Sequence, residues 1–178
     1  ESGVATGEVG FTNQGDVPLV TGIYDTAFMT EMTKATILFY AMLRWDDAQG
    51  VQLCEALRHA HAHGGLRELK RPYLNYNKLG DGFVTAFVAL LDEGGLANVE
   101  RLNLYDNAIS DAGMRELAAA VARGGLPKCT TLGLGDNPGS GAPVREALAQ
   151  RNLEQLHACT PEILQAAELS FSGAHWDD

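Results

Sequence analysis

Three histidines at alternate positions are the residues of this chain whose type and spacing come closest to a metal site. His59, His61 and His63 follow one another in an alanine-rich stretch. On a helix, His59 and His63 share one face while His61 points away, and Glu55 is a candidate third ligand. Zinc accepts imidazole and carboxylate ligands, so a metal-dependent enzyme or regulator is one hypothesis. Spacing alone rarely makes a site, however, and we favour a polar helix end that carries an insertion and binds no metal.

The other candidates for chemistry lack the residues that the chemistry needs. Cys54 and Cys129 lie at apolar positions and are expected in the core, whereas Cys159 is expected to be exposed. No nucleophile motif surrounds any of these cysteines. The glycines of the segment 133–137 are not followed by the Gly-Lys-Ser/Thr of a phosphate loop. The sequence therefore predicts no catalytic residue, no cofactor and no metal, and we expect a protein that is not an enzyme.

Composition and charge exclude further classes of function. The 178 residues carry a formal net charge of −10 at pH 7, and a chain this acidic repels phosphate backbones, so nucleic acid is not an expected partner. No apolar run of about 18 residues is present, so no membrane-spanning helix is expected. The three cysteines are widely spaced, which favours a reducing intracellular compartment over a disulfide framework. Because the sequence starts at Glu1 instead of Met, an organelle reached with a transit peptide, since removed, is one hypothesis for its location.

A repeat of 30 residues organises the middle of the chain. Diglycines followed by leucine occur at 64–65, 94–95 and 124–125, which is a constant spacing of 30 residues. Apolar residues recur at the same positions after each diglycine, and an asparagine follows them at Asn77, Asn107 and Asn137. A degenerate copy starts at Met32 and has Leu43 where the others have asparagine. Internal repetition of this kind is typical of solenoid proteins.

The pattern L-x-x-L-x-L-x-x-N-x-L, which the repeats follow, resembles the leucine-rich-repeat family. With a 30-residue unit that includes a helix, the chain is similar to the ribonuclease-inhibitor-like branch and to Ala/Gly-rich repeat proteins of algae and other protists. The resemblance covers residues 32–152 and implies an α/β solenoid, a short horseshoe with parallel strands on the concave face, helices on the convex face and terminal caps. It also implies buried asparagines that pair with turn backbone, and a protein-binding scaffold as the function.

Periodicity within the repeats predicts one strand and one helix in each. Strands are expected at about Leu69–Leu74, Val99–Leu104 and Cys129–Leu134, because apolar and polar residues alternate there. Helices are expected from about Asp81 and Asp111, where an acidic residue suits the positive end of a helix. Each diglycine is expected to end a helix, since glycine tolerates the left-handed conformation found there.

The predicted domain organisation has three parts. An N-terminal arm or cap covers residues 1–31, four repeats cover 32–65, 66–95, 96–125 and 126–152, and a C-terminal cap and tail cover 153–178. Val17–Tyr24 is expected either to pair as an extra strand or to wrap the first repeat. Pro143 is expected to open a helix that runs to about Gln150, and Thr160-Pro161-Glu162 a second helix whose apolar residues close the solenoid: Ile163, Leu164 and Leu169.

The outward positions of the strands form the candidate binding surface, which we call the concave face. Period-2 alternation places Ala41, Gly133 and Gly135 on it, the glycines leaving a flat patch. The residues of this face that we expect to contact a partner are Ile37, Phe39, Arg71, Tyr73, Asn75, Arg101, Asn103 and Tyr105. Tyrosine and arginine are enriched at binding hot spots, and a partner carboxylate would suit the arginines.

The apolar start of the concave face has two interpretations that stay open. Either a protein partner covers Ile37, Phe39 and Met42, or the N-terminal arm of the chain does so, because an exposed apolar patch needs some cover. The leading prediction is a protein-interaction module, based on analogy as well as on the surface. The alternative is an accessory subunit docked on a large organellar assembly, such as a photosynthetic membrane complex.

Overall fold

Five helices alternate with four short strands in the part of the chain that the structure describes. The computed structural model describes residues 17–172, and it describes side chains for residues 22–159. The elements in chain order are α1 (Val17–Lys34), β1 (Ile37–Phe39), α2 (Asp47–Ala62), β2 (Arg71–Tyr73), α3 (Asp81–Asp92), β3 (Arg101–Asn103), α4 (Asp111–Ala122), β4 (Thr131–Gly133) and α5 (Ala142–Ser172). This order confirms the predicted alternation of strand and helix.

The four strands form one open parallel sheet in the order β1-β2-β3-β4. Equivalent repeat positions are paired across it, with Leu38 opposite Pro72 and Leu102 opposite Leu132. Each regular strand is three residues long, and β2, β3 and β4 lie inside the longer predicted ranges. Backbone pairing continues past the regular strands, as in the 2.9 Å bond from Leu74 N to Asn103 O. The chain is therefore an α/β solenoid, as predicted.

The hydrophobic core lies between the sheet and the helices. Alternate strand residues such as Leu102 and Leu104 are fully buried. One stripe of each helix packs against them, including Phe83 and Phe87 on α3 and Met114 on α4. Because no unit has enough apolar surface to form a core alone, burial between neighbouring units holds the solenoid together.

An aspartate in the first turn of each repeat helix caps the next unit. Asp47 on α2 accepts hydrogen bonds from the backbone N–H groups at the start of α3, including Gly80 N at 2.5 Å. Asp81 on α3 accepts hydrogen bonds from Ser110 N at 2.9 Å and Ser110 Oγ at 2.5 Å. Asp111 on α4 accepts a hydrogen bond from the unit after it. Asp81 and Asp111 were predicted as start signals of their own helices, and all three aspartates also join each helix to the following one.

The diglycines end the repeat helices as predicted. Gly64, Gly94 and Gly124 have φ values of 83°, 79° and 102°, which lie in the left-handed region. A residue with a side chain is strained at such a φ, so glycine is the natural choice after the last helical turn.

The N-terminal segment is helical, so of the two alternatives for Val17–Tyr24 the extra strand is wrong. Helix α1 covers this segment and lies beside α2, with Phe28 and Met29 packed against the core. Met32 O accepts a hydrogen bond from Leu66 N at 3.0 Å. Only the second half of the helix thus covers the first unit, because Ile23 and Tyr24 are exposed. The arm over residues 1–16 lies outside the described residues.

The C-terminal segment differs from the two predicted helices because α5 is a single helix of 31 residues. It does not stop at Gln150, and it continues through Thr160 and Pro161. Between these points the sequence is rich in strong helix formers, so nothing there ends the helix. The predicted capping residues Ile163, Leu164 and Leu169 lie outside the described side chains.

Arg151 on α5 takes the place of a further unit at the C-terminal end of the solenoid. Its side chain is buried, with 7% exposed. Nη1 donates to Gly125 O and Leu126 O, and Nη2 donates to Cys129 O at 2.8 Å. These carbonyl groups belong to the turn before β4, where a buried oxygen needs a donor. No sequence motif marked this residue.

Candidate functional site

The concave face presents rows of side chains that run across the strands. The first row joins Ile37, Arg71, Arg101 and Thr131, and the second joins Phe39, Tyr73, Asn103 and Gly133. In-register parallel pairing produces these rows, because equivalent residues of neighbouring strands lie about 4.8 Å apart. The first row changes from isoleucine through two arginines to threonine, and the second changes from two aromatic residues to asparagine and glycine.

A pocket of about 490 Å³ lies in the middle of the concave face. Its wall is formed by Tyr73, Asn75, Tyr76, Arg101, Leu102, Asn103, Tyr105, Thr131 and Gly133. Five of the residues predicted to contact a partner belong to this wall, namely Tyr73, Asn75, Arg101, Asn103 and Tyr105. The other three, Ile37, Phe39 and Arg71, lie on the same face outside the pocket.

The glycines of the last strand do not leave a flat patch, because side chains of the preceding unit lie over them. A Cβ atom on Gly133 would be 2.5 Å from Asn103 Oδ1, and one on Gly135 would be 3.1 Å from Tyr105 Cε2. The first distance is shorter than real Cβ contacts, so any side chain at position 133 would displace the Asn103 side chain. Glycine at these positions is therefore what allows Asn103 and Tyr105 to cover the last strand and form the pocket wall.

The aromatic wall of the pocket is held in place by a carboxylate that sequence analysis missed. Tyr105 OH donates a hydrogen bond to Asp136 Oδ2. This bond, together with burial and the negative charge of Asp136, raises the pKa of Tyr105 to about 12. Tyr105 therefore stays neutral at physiological pH. Tyr76 packs edge-on against Tyr105, with ring centroids 5.5 Å apart. The repeat register, in which Asp136 is equivalent to Tyr76 and Asp106, could have indicated this residue.

Two neighbouring arginines lie at the start of strands β2 and β3. Among the described residues, the guanidinium groups of Arg71 and Arg101 make no hydrogen bond and no ion pair. The carboxylate closest in sequence, Glu100, is bonded to Lys70 Nζ at 2.9 Å. That bond is the main cause of the lowered pKa of Glu100, to which the two arginines add only longer-range attraction. Both guanidinium groups are thus available to a ligand.

One polar atom in the pocket lacks a partner. Asn75 Oδ1 is buried and accepts no hydrogen bond from the described part of the chain. A buried acceptor without a donor costs about 1–3 kcal/mol. The oxygen has no accessible surface, so a ligand N–H or O–H group would reach it only after the Asn75 amide turned toward the pocket.

The apolar end of the concave face is exposed. Phe39 and Met42 are 70% and 67% exposed, and Ile37 is half-exposed. Phe39 contacts Tyr73, with ring centroids 5.8 Å apart, so this end is continuous with the pocket. Ala41, predicted to face outward, is only 5% exposed, since the chain leaves the sheet at Met42 with a left-handed φ of 62°. A covering arm would come from residues 1–16, which lie outside the described part of the chain.

The asparagines of the repeats hold neighbouring turns together. Asn107 Oδ1 accepts a hydrogen bond from Leu79 N at 3.0 Å, and Asn107 Nδ2 donates to Leu74 O and Leu104 O. Asn77 and Asn137 make corresponding bonds in their own units. Each side chain thus pairs with backbone of its own unit and of the unit before it, and its role is structural.

As the spacing predicts, His59 and His63 share one face of α2 and His61 lies on another. The rings of His59 and His63 lie 4.3 Å apart by centroid. His59 Nε2 lies 2.9 Å from Asp25 Oδ1, and His61 Nε2 lies 3.0 Å from Glu93 O on the other side of α2. Within the described residues, no group of three or more His, Cys, Asp or Glu side chains could hold a metal ion.

The cysteines lie where the sequence predicts. Cys54 and Cys129 are buried, and Cys159 is exposed. Burial raises the pKa of the Cys54 thiol to about 12, and it also raises that of Cys129. The thiolate is the reactive form, so both buried cysteines are inert core residues.

Comparison with known proteins gives no family assignment. No protein-family model matches the chain, and no curated protein matches it. Of the helices in the described residues, none combines the length and the apolar character needed to cross a membrane.

Proposed function

We propose that this chain is a non-enzymatic protein-interaction module of the leucine-rich-repeat type, which binds a protein partner with its concave face. The observation that carries this proposal is the continuity of the exposed apolar end with the aromatic pocket. Phe39 contacts Tyr73, and Tyr73 lines a pocket whose other wall is Tyr105. Rigid aromatic side chains on a regular sheet provide contact area at little cost in conformational entropy, as binding hot spots require.

The supporting chemistry is that of recognition. Tyr105 is neutral, and among the described residues the two arginine side chains have no ion-pair partner and Asn75 Oδ1 has no donor. These groups can stack, form hydrogen bonds and attract a carboxylate. A general acid or base needs a pKa near the working pH, and the pKa of Tyr105 lies far above it. The accessory-subunit hypothesis differs only in the identity of the partner.

The test compares two triple variants in affinity capture from cells that express the protein naturally. The first variant carries Phe39→Ala, Tyr73→Ala and Tyr105→Ala on the concave face. The matched control carries Gln52→Ala, Glu55→Ala and Arg115→Ala, which are exposed positions on helices α2 and α4. We expect a partner that the wild type and the control retain and the concave-face variant loses. Identical partner sets for both folded variants would contradict the proposal.

A further inference from the structure

Repulsion between the two arginines of the concave face lowers the stability of the free protein. Arg71 and Arg101 occupy neighbouring strands at equivalent register positions, since Tyr73 pairs with Asn103. Like charges placed directly opposite each other destabilise a sheet. The carboxylate of Glu100, the closest in sequence, is bonded to Lys70 instead. The two arginines thus stay without a carboxylate among the described residues, although the whole chain carries a net charge of −10. An anionic group from a partner would remove this repulsion.

A second polar group, further along the strands, also has no partner among the described residues. Asn75 Oδ1 needs a hydrogen-bond donor. Asn75 lies four residues beyond Arg71 on the same segment, which is about 13 Å of extended chain at about 3.3 Å per residue. If an extended peptide places a carboxylate at the two arginines, its backbone N–H groups three or four residues further along lie beside Asn75.

Charge is distributed unevenly along the concave face. The strand starts carry Arg71 and Arg101, whereas Asp106 and Asp136 follow the strand ends and both act on Tyr105. A carboxylate is attracted by the first end and repelled by the second. This polarity favours one direction of a bound peptide, with the acidic side chain at the strand starts and hydrogen-bond donors toward the strand ends.

We infer that the partner presents an extended acidic peptide segment to the concave face. A carboxylate side chain bridges the guanidinium groups of Arg71 and Arg101, and the Asn75 amide turns toward the pocket to accept a hydrogen bond from a backbone N–H three or four residues away. The chain between these points packs against Tyr73 and Tyr105. Bidentate bonds from arginine to carboxylate supply direction as well as attraction. The inference rests on the proposed function, because it specifies what the concave face binds.

The first experiment measures binding of fluorescein-labelled hexaglutamate to the full chain by fluorescence anisotropy at low and at physiological salt. Labelled hexaglutamine is the neutral control, and free glutamate is the competitor. We expect hexaglutamate to bind at least about tenfold more tightly than hexaglutamine, because loss of a charged hydrogen bond costs roughly a factor of ten or more. Equal binding of the two peptides, no binding of either peptide, or equally effective competition by free glutamate would overturn the inference.

The second experiment locates the site with variants. Arg71→Gln and Arg101→Gln are each expected to weaken hexaglutamate binding about tenfold or more. Arg115→Gln, on the exposed surface of α4, is expected to change nothing. Circular dichroism shows that each variant is folded before it is tested. Unchanged binding in both concave-face variants would place the acidic peptide elsewhere and overturn the inference.

A third variant separates recognition from mere charge attraction. Asn75→Leu removes the unpaired acceptor, so it is expected to raise the midpoint of thermal unfolding and yet to weaken peptide binding several-fold. If Asn75→Leu does not fold, Asn75→Ala serves instead. Binding unaffected in the folded variant would contradict the role of Asn75. If capture still shows a partner lost by the Phe39/Tyr73/Tyr105 variant while hexaglutamate does not bind, the inference fails and the proposed function stands.

Discussion

Asn107 shows how much of this fold depends on single polar side chains. It is 7% exposed, and its amide pairs with backbone on both sides of the boundary between two units. No aliphatic residue can replace these bonds, so the repeat needs asparagine at a position that is otherwise surrounded by leucines.

Replacing Asn107 with alanine is expected to lower the free energy of unfolding by about 1–3 kcal/mol, because a buried N–H and buried carbonyl oxygens lose their partners. Urea denaturation measures the change. Asn98→Ala, which removes hydrogen bonds at a more exposed position, is the matched control and is expected to cost less. A loss at Asn107 below about 0.5 kcal/mol would be inconsistent with this role.

Leu102 tests the inward side of the same strand. Its side chain is buried between neighbouring units, so Leu102→Ala is expected to destabilise the protein by about 2–5 kcal/mol through lost contacts and a cavity. Leu153→Ala is the control, since Leu153 is 47% exposed and the expected change is within about 0.5 kcal/mol. Chemical denaturation that gave similar values for both variants would mean that the strand's inward face is wrongly assigned.

At the scale of the helices, the aspartates join each helix start to the next. Hydrogen bonds from Ser110 Oγ, and from the backbone N–H groups of Ser110 and Gly113, lower the pKa of Asp81. The ionised carboxylate thus stabilises the folded state at pH values above the ordinary pKa of about 3.9. This contribution is lost as the pH falls through the lower pKa of the folded state.

Asp81→Asn is accordingly expected to destabilise the protein at pH 7 and to have a smaller effect at pH 3, because below the ordinary pKa of the carboxyl group protonation of the unfolded state removes part of this stabilisation. Urea denaturation across this pH range measures the difference between variant and wild type. Glu146→Gln, at an exposed position of α5, is the control and should show little effect at either pH. A difference for Asp81→Asn that grew on acidification would reverse the sign expected from the lowered pKa.

The helices also show where sequence analysis succeeds and fails. The starts at Asp81 and Asp111 and the ends at the diglycines were predictable, because the same local chemistry recurs every 30 residues. The terminal helices α1 and α5 lie outside the repeat, so no second copy supports their assignment. The pocket was predicted only as a set of outward residues. Its Tyr105–Asp136 bond joins different units and depends on side-chain direction, which spacing does not provide.

At the scale of the whole molecule, the C-terminal end depends on one buried cation. Arg151 supplies the donors that a further unit would otherwise provide to the turn before β4. Burial lowers the pKa of Arg151, and within the described residues no carboxylate pairs with it, so the carbonyl groups are what compensate its charge.

Arg151→Met keeps much of the side-chain volume but removes these donors, and it is expected to destabilise the protein by about 2–4 kcal/mol. Arg145→Met, at an exposed position of the same helix, is expected to change the stability by less than about 0.5 kcal/mol. Hydrogen exchange locates the effect, since the loss of protection should begin in the last unit. A loss of protection that was uniform over all units would argue against the role of Arg151 at the C-terminal end of the solenoid.

The forward direction of the aspartate bonds and the backward direction of the asparagine bonds have a consequence for synthesis on the ribosome. The turn after β1 stays unpaired until Asn77 has been translated, and Asp47 finds its donors only when Gly80 and Phe83 follow. Each unit is thus completed by the next, and folding must lag behind translation by about one unit. A nascent chain paused inside a unit exposes the unpaired edge of the unit before it, which is where chaperones would be needed.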